Sequence, residues 1–205
     1  MKAVQMVKAG AEPELRDVPK PTPGPGQVLV KVTAAGACHS DDFVLNAPEG
    51  AFPYPLPMTL GHEGVGVIAE LGQGVSTVSE GTAVAIYGPW GCGVCHFCSQ
   101  GLENYCSRAA DLQITPPGLG HDGAMAEYVV VDDPRHLVPI GDLDPATTVP
   151  LTDAGLTPYH AIKASLSKLL GGTTAVVARR HGRLAGGIEL HEEFATEARR
   201  RIAAD

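Results

Sequence analysis

The chain has 205 residues, enough for one well-cored domain or for one domain plus a fragment of another. Its 44% hydrophobic content fits a soluble globular protein, and with only 5% aromatic residues the core must be built from aliphatic side chains. A formal net charge of −8 argues against a nucleic-acid footprint, which needs clustered Lys and Arg, so a zinc-finger reading of the cysteines is set aside.

The N-terminal run Met1-Lys2-Ala3-Val4-Gln5-Met6-Val7 holds no apolar stretch of signal-peptide length, and no later run approaches a membrane span, so the chain reads as cytoplasmic. In that reducing compartment clustered cysteines are expected as metal ligands rather than disulfide partners. Residues 4–7 predict a first strand and 15–18 a second, and the Pro/Gly punctuation of 19–26 continues neither. Val28, Val30 and Val32 alternate with polar or small residues, the period of a strand with one buried face. Short β segments at 64–69, 82–86 and 125–131, separated by Gly- and Pro-rich loops, predict an all-β barrel over roughly the first 140 residues.

Character changes near Pro145. Asp144-Pro145-Ala146 predicts a helix start, with Asp as cap and Pro at the first helical position, and 153–165 reads as further helix with Pro158 near one end. Residues 173–177 form a β-branched run, the expected first strand of an α/β unit, yet no parallel sheet follows it in the sequence. Residues 178–205 instead carry six of the nine arginines (Arg179, Arg180, Arg183, Arg199, Arg200 and Arg201) and no lysine. Residues 192–204 have the composition of a charged helix, but the pairs Glu189/Glu193 and Glu193/Glu197 repel and little apolar face is left to dock.

Two groups of residues carry chemistry. Cys92, Cys95, Cys98 and Cys106, spaced C-x2-C-x2-C-x7-C, offer four soft thiolates to one tetrahedral metal. With every coordination position filled by protein such a site is structural. Its rivals are four unligated thiols and an iron–sulfur cluster, but a ferredoxin run brings its fourth cysteine after three residues and follows it with Pro, whereas here seven intervene and Ser107 follows. The remaining cysteine, Cys38 in Cys38-His39-Ser40-Asp41, lies upstream of Gly61-His62-Glu63 and suggests a second metal site. Only a fold can unite Cys38 with His62, and on residues alone a lone histidine such as His62 more often has a packing or surface role.

The segment Gly61-His62-Glu63-Gly64-Val65-Gly66, followed by Gly72 and Val75, belongs with the quartet and with Gly88-Pro89-Trp90-Gly91-Cys92, Gly101, Asn104 and Tyr105. Together they resemble the zinc-containing alcohol dehydrogenases of the medium-chain family, from Met1 to about residue 177. The resemblance implies a mainly β chain: a GroES-like barrel as catalytic domain over 1–150, with a structural zinc lobe at 88–110. A linker helix and the first strand of a truncated Rossmann domain are implied over 151–177, leaving 178–205 as an aberrant tail.

It further implies one catalytic and one structural zinc, with NAD as the expected cofactor. Cys38 and His62 match the catalytic zinc ligands, and the third ligand, commonly Cys in the family, falls on Asp153 in Leu151-Thr152-Asp153-Ala154-Gly155. A carboxylate oxygen is an ordinary zinc ligand; the competing reading of Asp153 is a helix N-cap. Glu63 is implied beside the metal, Ser40 as the hydroxyl that relays the alcohol proton, His39 at the cofactor pyrophosphate and Thr157 at the nicotinamide. Phe43, Tyr54 and Leu119 are candidates for an apolar substrate pocket or for core. The implied reaction is reversible hydride transfer between a small alcohol or carbonyl and NAD.

The expected Gly-x-Gly-x-x-Gly is missing: Val176-Val177 runs into Ala178-Arg179-Arg180-His181-Gly182, and Gly182, Gly186 and Gly187 have the wrong spacing. The chain is therefore expected to lack most of its NAD-binding domain, to be inactive alone, and to have lost the family's homo-oligomer interface. The alternative is a non-catalytic zinc-binding remnant or interaction module. No nucleic-acid or membrane partner is expected.

Overall fold

The computed structural model describes residues 1–48 and 52–170, without the side chains of 166–170. The expected strand at 173–177 and the Arg-rich tail lie outside the described residues. The chain divides into two units at Gly155/Leu156, and each is described by itself.

The first unit is built on two antiparallel sheets. One has the order β2-β1-β4, with β1 Lys2–Met6, β2 Glu14–Asp17 and β4 Met58–Thr59. The other has the order β7-β3-β5-β6-β8, with β3 Val28–Gly36, β5 Glu63–Leu71, β6 Ala83–Ile86, β7 Tyr128–Val131 and β8 Leu137–Pro139. The chain over 124–131 serves both: Val4 N–H donates to Met125 O at 2.8 Å, while Tyr128 to Val131 pair with β3. That sharing joins the sheets into the expected barrel.

The core is aliphatic, as the composition requires. Val28, Val30, Ile68, Val84, Ile86, Val129, Val131 and Leu137 form the main cluster, with Trp90 as its one large aromatic. Each such side chain contributes about 1.5–3 kcal/mol by leaving water. The strict alternation read for β3 fails at its start, where Leu29 is as fully buried as Val28 and Val30. β3 lies between β7 and β5, so both of its edges are paired, and at this end both of its faces are covered. Two short strands, β4 and β8, and the helix α1 His39–Leu45 go beyond the elements the sequence predicts.

The helix start read at Asp144 is present: α2 Pro145–Thr148 has Asp144 as its cap, accepting from Thr147 N–H at 2.9 Å, with Pro145 in the first position. A 3-10 turn follows over Val149–Thr152. The next helix, α3 Leu156–Leu170, starts three residues later than the predicted 153. Asp153 is thus the C-cap of the preceding turn, and the N-cap reading of it is corrected.

Candidate metal centres

Strand register brings the first cluster together. Gly36 at the end of β3 pairs with Glu63 at the start of β5, so the residues just beyond each end, Cys38 and His62, face one another. The turn after α2 adds Asp153. One ligand atom from each of Cys38, His62 and Asp153 lies within 4.8 Å of the other two. Cys38 Sγ is 3.5 Å from Asp153 Oδ2, and His62 Nε2 is 3.2 Å from that same oxygen.

The fit to a metal shows most clearly at His62. Its Nε2 is buried and makes no hydrogen bond among the described residues. The approach to Asp153 has ion-pair distance without hydrogen-bond geometry, so we take the nitrogen as aimed at the shared centre rather than satisfied by the carboxylate. The other ring nitrogen, Nδ1, lies 3.1 Å from Oδ1 of Asp41, a buried carboxylate. Asp41 dominates the rise of the His62 pKa to about 9, against the opposing effect of burial and with help from Cys38. A soft sulfur, an imidazole nitrogen and a carboxylate oxygen on one point are a zinc-type donor set that leaves a fourth position open.

Two positioning contacts surround it. Asp41 also accepts from Cys38 N–H through Oδ2 at 2.8 Å, so one carboxylate orients two members of the cluster. No role was read for Asp41 in the sequence. The available signal was a carboxylate three residues after a helix-starting position, the pattern of a capping box. Glu63 is buried and accepts from Ala154 N–H through Oε1 at 2.7 Å, which fixes the backbone next to Asp153. A Cβ on Gly36 would fall onto Glu63 Oε2, so glycine there leaves room for that carboxylate.

The quartet forms the second cluster, in the loop between β6 and β7, where 3-10 turns over Cys98–Gln100 and Glu103–Tyr105 fold the chain back on itself. One sulfur from each of Cys92, Cys95, Cys98 and Cys106 lies within 4.8 Å of the rest. Backbone N–H groups point at them: Cys95 N–H donates to Cys92 Sγ and Cys92 N–H to Cys106 Sγ, both at 3.3 Å. N–H donors of this kind, first that of Cys98, draw the Cys95 thiol down to about 5, and the Cys92 N–H lowers that of Cys106. Cys98, the buried member, is pushed up to about 12 by burial, with its three sulfur neighbours adding to the rise. The loop therefore favours the thiolate at Cys95 and Cys106 and the thiol at the buried Cys98, and a divalent cation at their meeting point would favour ionisation of Cys98 as well.

A charged group from the barrel side meets this loop. The 3-10 turn Pro134–His136 carries Arg135, whose Nη2 donates to Gly91 O and whose Nε lies 3.3 Å from Glu103 Oε1. His136 beside it is 2% exposed and stacks on Trp90 at 5.3 Å. Its Nε2 accepts from Arg135 Nε–H at 3.3 Å, which requires a neutral ring. Burial first, then the Arg135 cation, push its pKa down to about 4, against the pull of Asp133 and Asp132.

An unfolded histidine titrates near 6.5, so between about 6.5 and 4 the unfolded chain binds a proton that the fold refuses, and stability falls as pH drops through that window. At about 1.4 kcal/mol per pH unit, the stability difference between wild type and His136→Gln is expected to change by about 2 kcal/mol between pH 7 and pH 5. Denaturant titrations of both proteins at the two pH values measure it. A pH-independent difference contradicts the assignment.

The other residues singled out in the sequence have separate positions. Ser40 is exposed on α1, its Oγ 3.9 Å from Cys38 Sγ, and His39 is exposed beside it. Phe43, on the same helix, is 77% exposed. Tyr54 packs edge-on against Phe52, and Leu119 packs on the small core of Met6, Val44, Met58 and Leu60. Thr157 lies in the first turn of α3, in the second unit.

Residues 24–142 match the family model described as alcohol dehydrogenase GroES-like domain. A curated relative, the NAD-dependent alcohol dehydrogenase of Sulfurisphaera tokodaii, is 37% identical over an alignment that covers all of this chain and 63% of the relative. Acetophenone reductase from Geotrichum candidum, solved in complex with NAD, is 33% identical with a TM-score of 0.70, over 97% of this chain and 60% of that one. The cobalt- and zinc-bound thermostable alcohol dehydrogenase of Pyrobaculum aerophilum is 31% identical with a TM-score of 0.65, over 74% of this chain and 44% of that one. The chain thus spans less than two thirds of the length of these proteins.

Proposed function

This chain belongs to the medium-chain alcohol dehydrogenase family through its GroES-like domain, and from that membership we propose that it is the catalytic domain of a zinc- and NAD-dependent alcohol dehydrogenase. The reaction is reversible hydride transfer between a small alcohol or carbonyl compound and NAD. Cys38, His62 and Asp153 hold the catalytic zinc; Cys92, Cys95, Cys98 and Cys106 hold a structural one. The observation that carries the reading is the meeting, within 4.8 Å, of one donor atom each from Cys38, His62 and Asp153, which come from three separate stretches of chain.

A zinc ion there supplies a Lewis acid that lowers the pKa of a substrate hydroxyl. The protein's own residues do the rest. Asp41 holds the Nδ1–H of His62, so that the lone pair on Nε2 points at the site. Glu63 keeps the Asp153 turn in place through Ala154 N–H. Ser40 takes the alcohol proton and passes it outward, toward His39, which also meets the cofactor pyrophosphate, while Thr157 contacts the nicotinamide ring. The domain division follows the sequence reading: catalytic domain over 1–150, then linker helix and first cofactor-domain strand. The setting is cytoplasmic; no helix among the described residues is long and apolar enough to cross a membrane.

The test is zinc content, NADH binding and alcohol-dependent NADH formation measured on one sample with primary and secondary alcohols. Two zinc ions per chain are expected, with no turnover by the 205 residues alone, since no Gly-x-Gly-x-x-Gly follows residues 173–177. Turnover is expected once residues 178–205 are replaced by everything in the Sulfurisphaera tokodaii relative that follows its match to residue 177. A zinc-free protein contradicts the metal assignment, and a zinc-loaded fusion without activity favours the alternative, a non-catalytic zinc-binding module. In the same preparation Asp41→Ala is expected to weaken zinc at the Cys38 site about 10–100-fold and leave the quartet unchanged, read by competition with a chelator.

A further inference from the structure

We propose that Arg135 is the positioning residue that keeps the cysteine lobe seated on the barrel and its metal retained. The inference rests on the reading of the quartet as a metal site. The lobe leaves the barrel after β6, and Cys92 follows directly on Gly91, whose carbonyl accepts from the Arg135 guanidinium. On the far side of Cys92 a Cβ on Gly93 would run into Arg135 Nη1, so the guanidinium touches the backbone on both sides of this cysteine. The same group reaches Glu103 Oε1 at 3.3 Å, in the 3-10 turn that leads into Cys106.

Arg135 therefore binds the start and the end of the quartet loop at once, from a turn anchored between β7 and β8. Its own orientation is fixed from behind by the His136 ring at 3.2 Å from Nη2 and by Asp133 Oδ2 at 3.6 Å from Nε. Glu103, 11% exposed, is nearly enclosed by this arrangement. Two physical consequences follow. Four thiolates around a divalent cation carry a net charge of about −2, and a cation beside the Cys92 backbone offsets it. The planar fork also ties two chain segments in one geometry, which the point charge of a lysine does not reproduce.

The experiment uses the full chain loaded with zinc. Thiol alkylation of Cys92, Cys95, Cys98 and Cys106, mapped by mass spectrometry in the presence of a chelator, reports opening of the lobe independently of activity. Arg135→Gln is expected to speed labelling of the quartet about 10–100-fold while Cys38 labels at the wild-type rate, the range seen when groups that orient metal ligands are removed. Arg135→Lys, which keeps the charge and loses the fork, is expected to fall between wild type and Arg135→Gln, and it carries the test if Arg135→Gln does not fold.

Wild-type labelling rates in both variants overturn the proposal and leave the metal reading intact. Equal acceleration at Cys38 and the quartet also overturns it, because it shows general loosening rather than seating of the lobe. A wild-type quartet that labels at the same rate with and without zinc overturns the metal reading itself.

Discussion

Cys98→Ser is expected to strip the cysteine lobe of its metal while the Cys38 site keeps its own. Structural zinc sites of four protein ligands contribute about 10–16 kcal/mol of apparent binding free energy, so removal of one of four comparable ligands costs about 2.5–4 kcal/mol, or about 70- to 900-fold in affinity. Cys98 is the most sensitive of the four because it is buried while the other three are half-buried, so solvent has least access to supply a replacement ligand. Once its metal is gone, the loop keeps Trp90 in the barrel core, the 3-10 turns and the Arg135 contacts, but loses the tie among its four cysteines. Elemental analysis after dialysis against a mild chelator is expected to fall by one zinc per chain, with faster proteolysis inside 88–110. Unchanged zinc content would falsify the assignment of Cys98 as a ligand.

Gly66→Ala is expected to destabilise the barrel by about 3 kcal/mol, the upper range for overpacking, because the added carbon meets backbone that cannot give way. Gly66 lies in β5, where it pairs with Val32 on one side and Val84 on the other. A Cβ there would run into the carbonyl oxygen of Lys31 and lie 2.6 Å from Val30 Cγ1. Relief requires parting β3 from β5, the pairing whose register brings Cys38 to His62. Thermal unfolding is expected to shift down by about 6–12 °C, with weaker zinc binding at the Cys38 site. Gly88→Ala is the control: its Cβ would stand 3.6 Å from His62 O, an ordinary contact, and the melting point is expected to stay within a degree or two, about the effect of a neutral substitution. Equal shifts in both variants contradict the steric account.

How legible each part was depended on its range along the chain. The quartet was readable because its ligands lie within one loop and its spacing alone defines a tetrahedral donor set. Asp144 with Pro145 was readable for the same reason, since a cap acts over one turn. Asp41 was quoted in its motif and given no role, because its partner His62 is 21 residues away and nothing local marks the pairing. Arg135 was only one of nine arginines until its turn was found against Gly91, 44 residues earlier. The period-2 reading of β3 failed at Leu29 because alternation assumes one wet face, and a strand paired on both sides and covered at one end has none there.

The sequence by itself determined the alternating strands of the barrel, its aliphatic core and the close spacing of the four lobe cysteines, because each of these is written in composition or in short spacing, while the family entered through the resemblance of its motifs. Only the tertiary structure decided that Cys38, His62 and Asp153 share one centre, that Asp41 and Glu63 position them, and that Arg135 faces the lobe. The physical reason is that these meetings depend on strand register: pairing Gly36 with Glu63 aligns two chain ends, whereas a slip of one residue would turn every side chain to the opposite face.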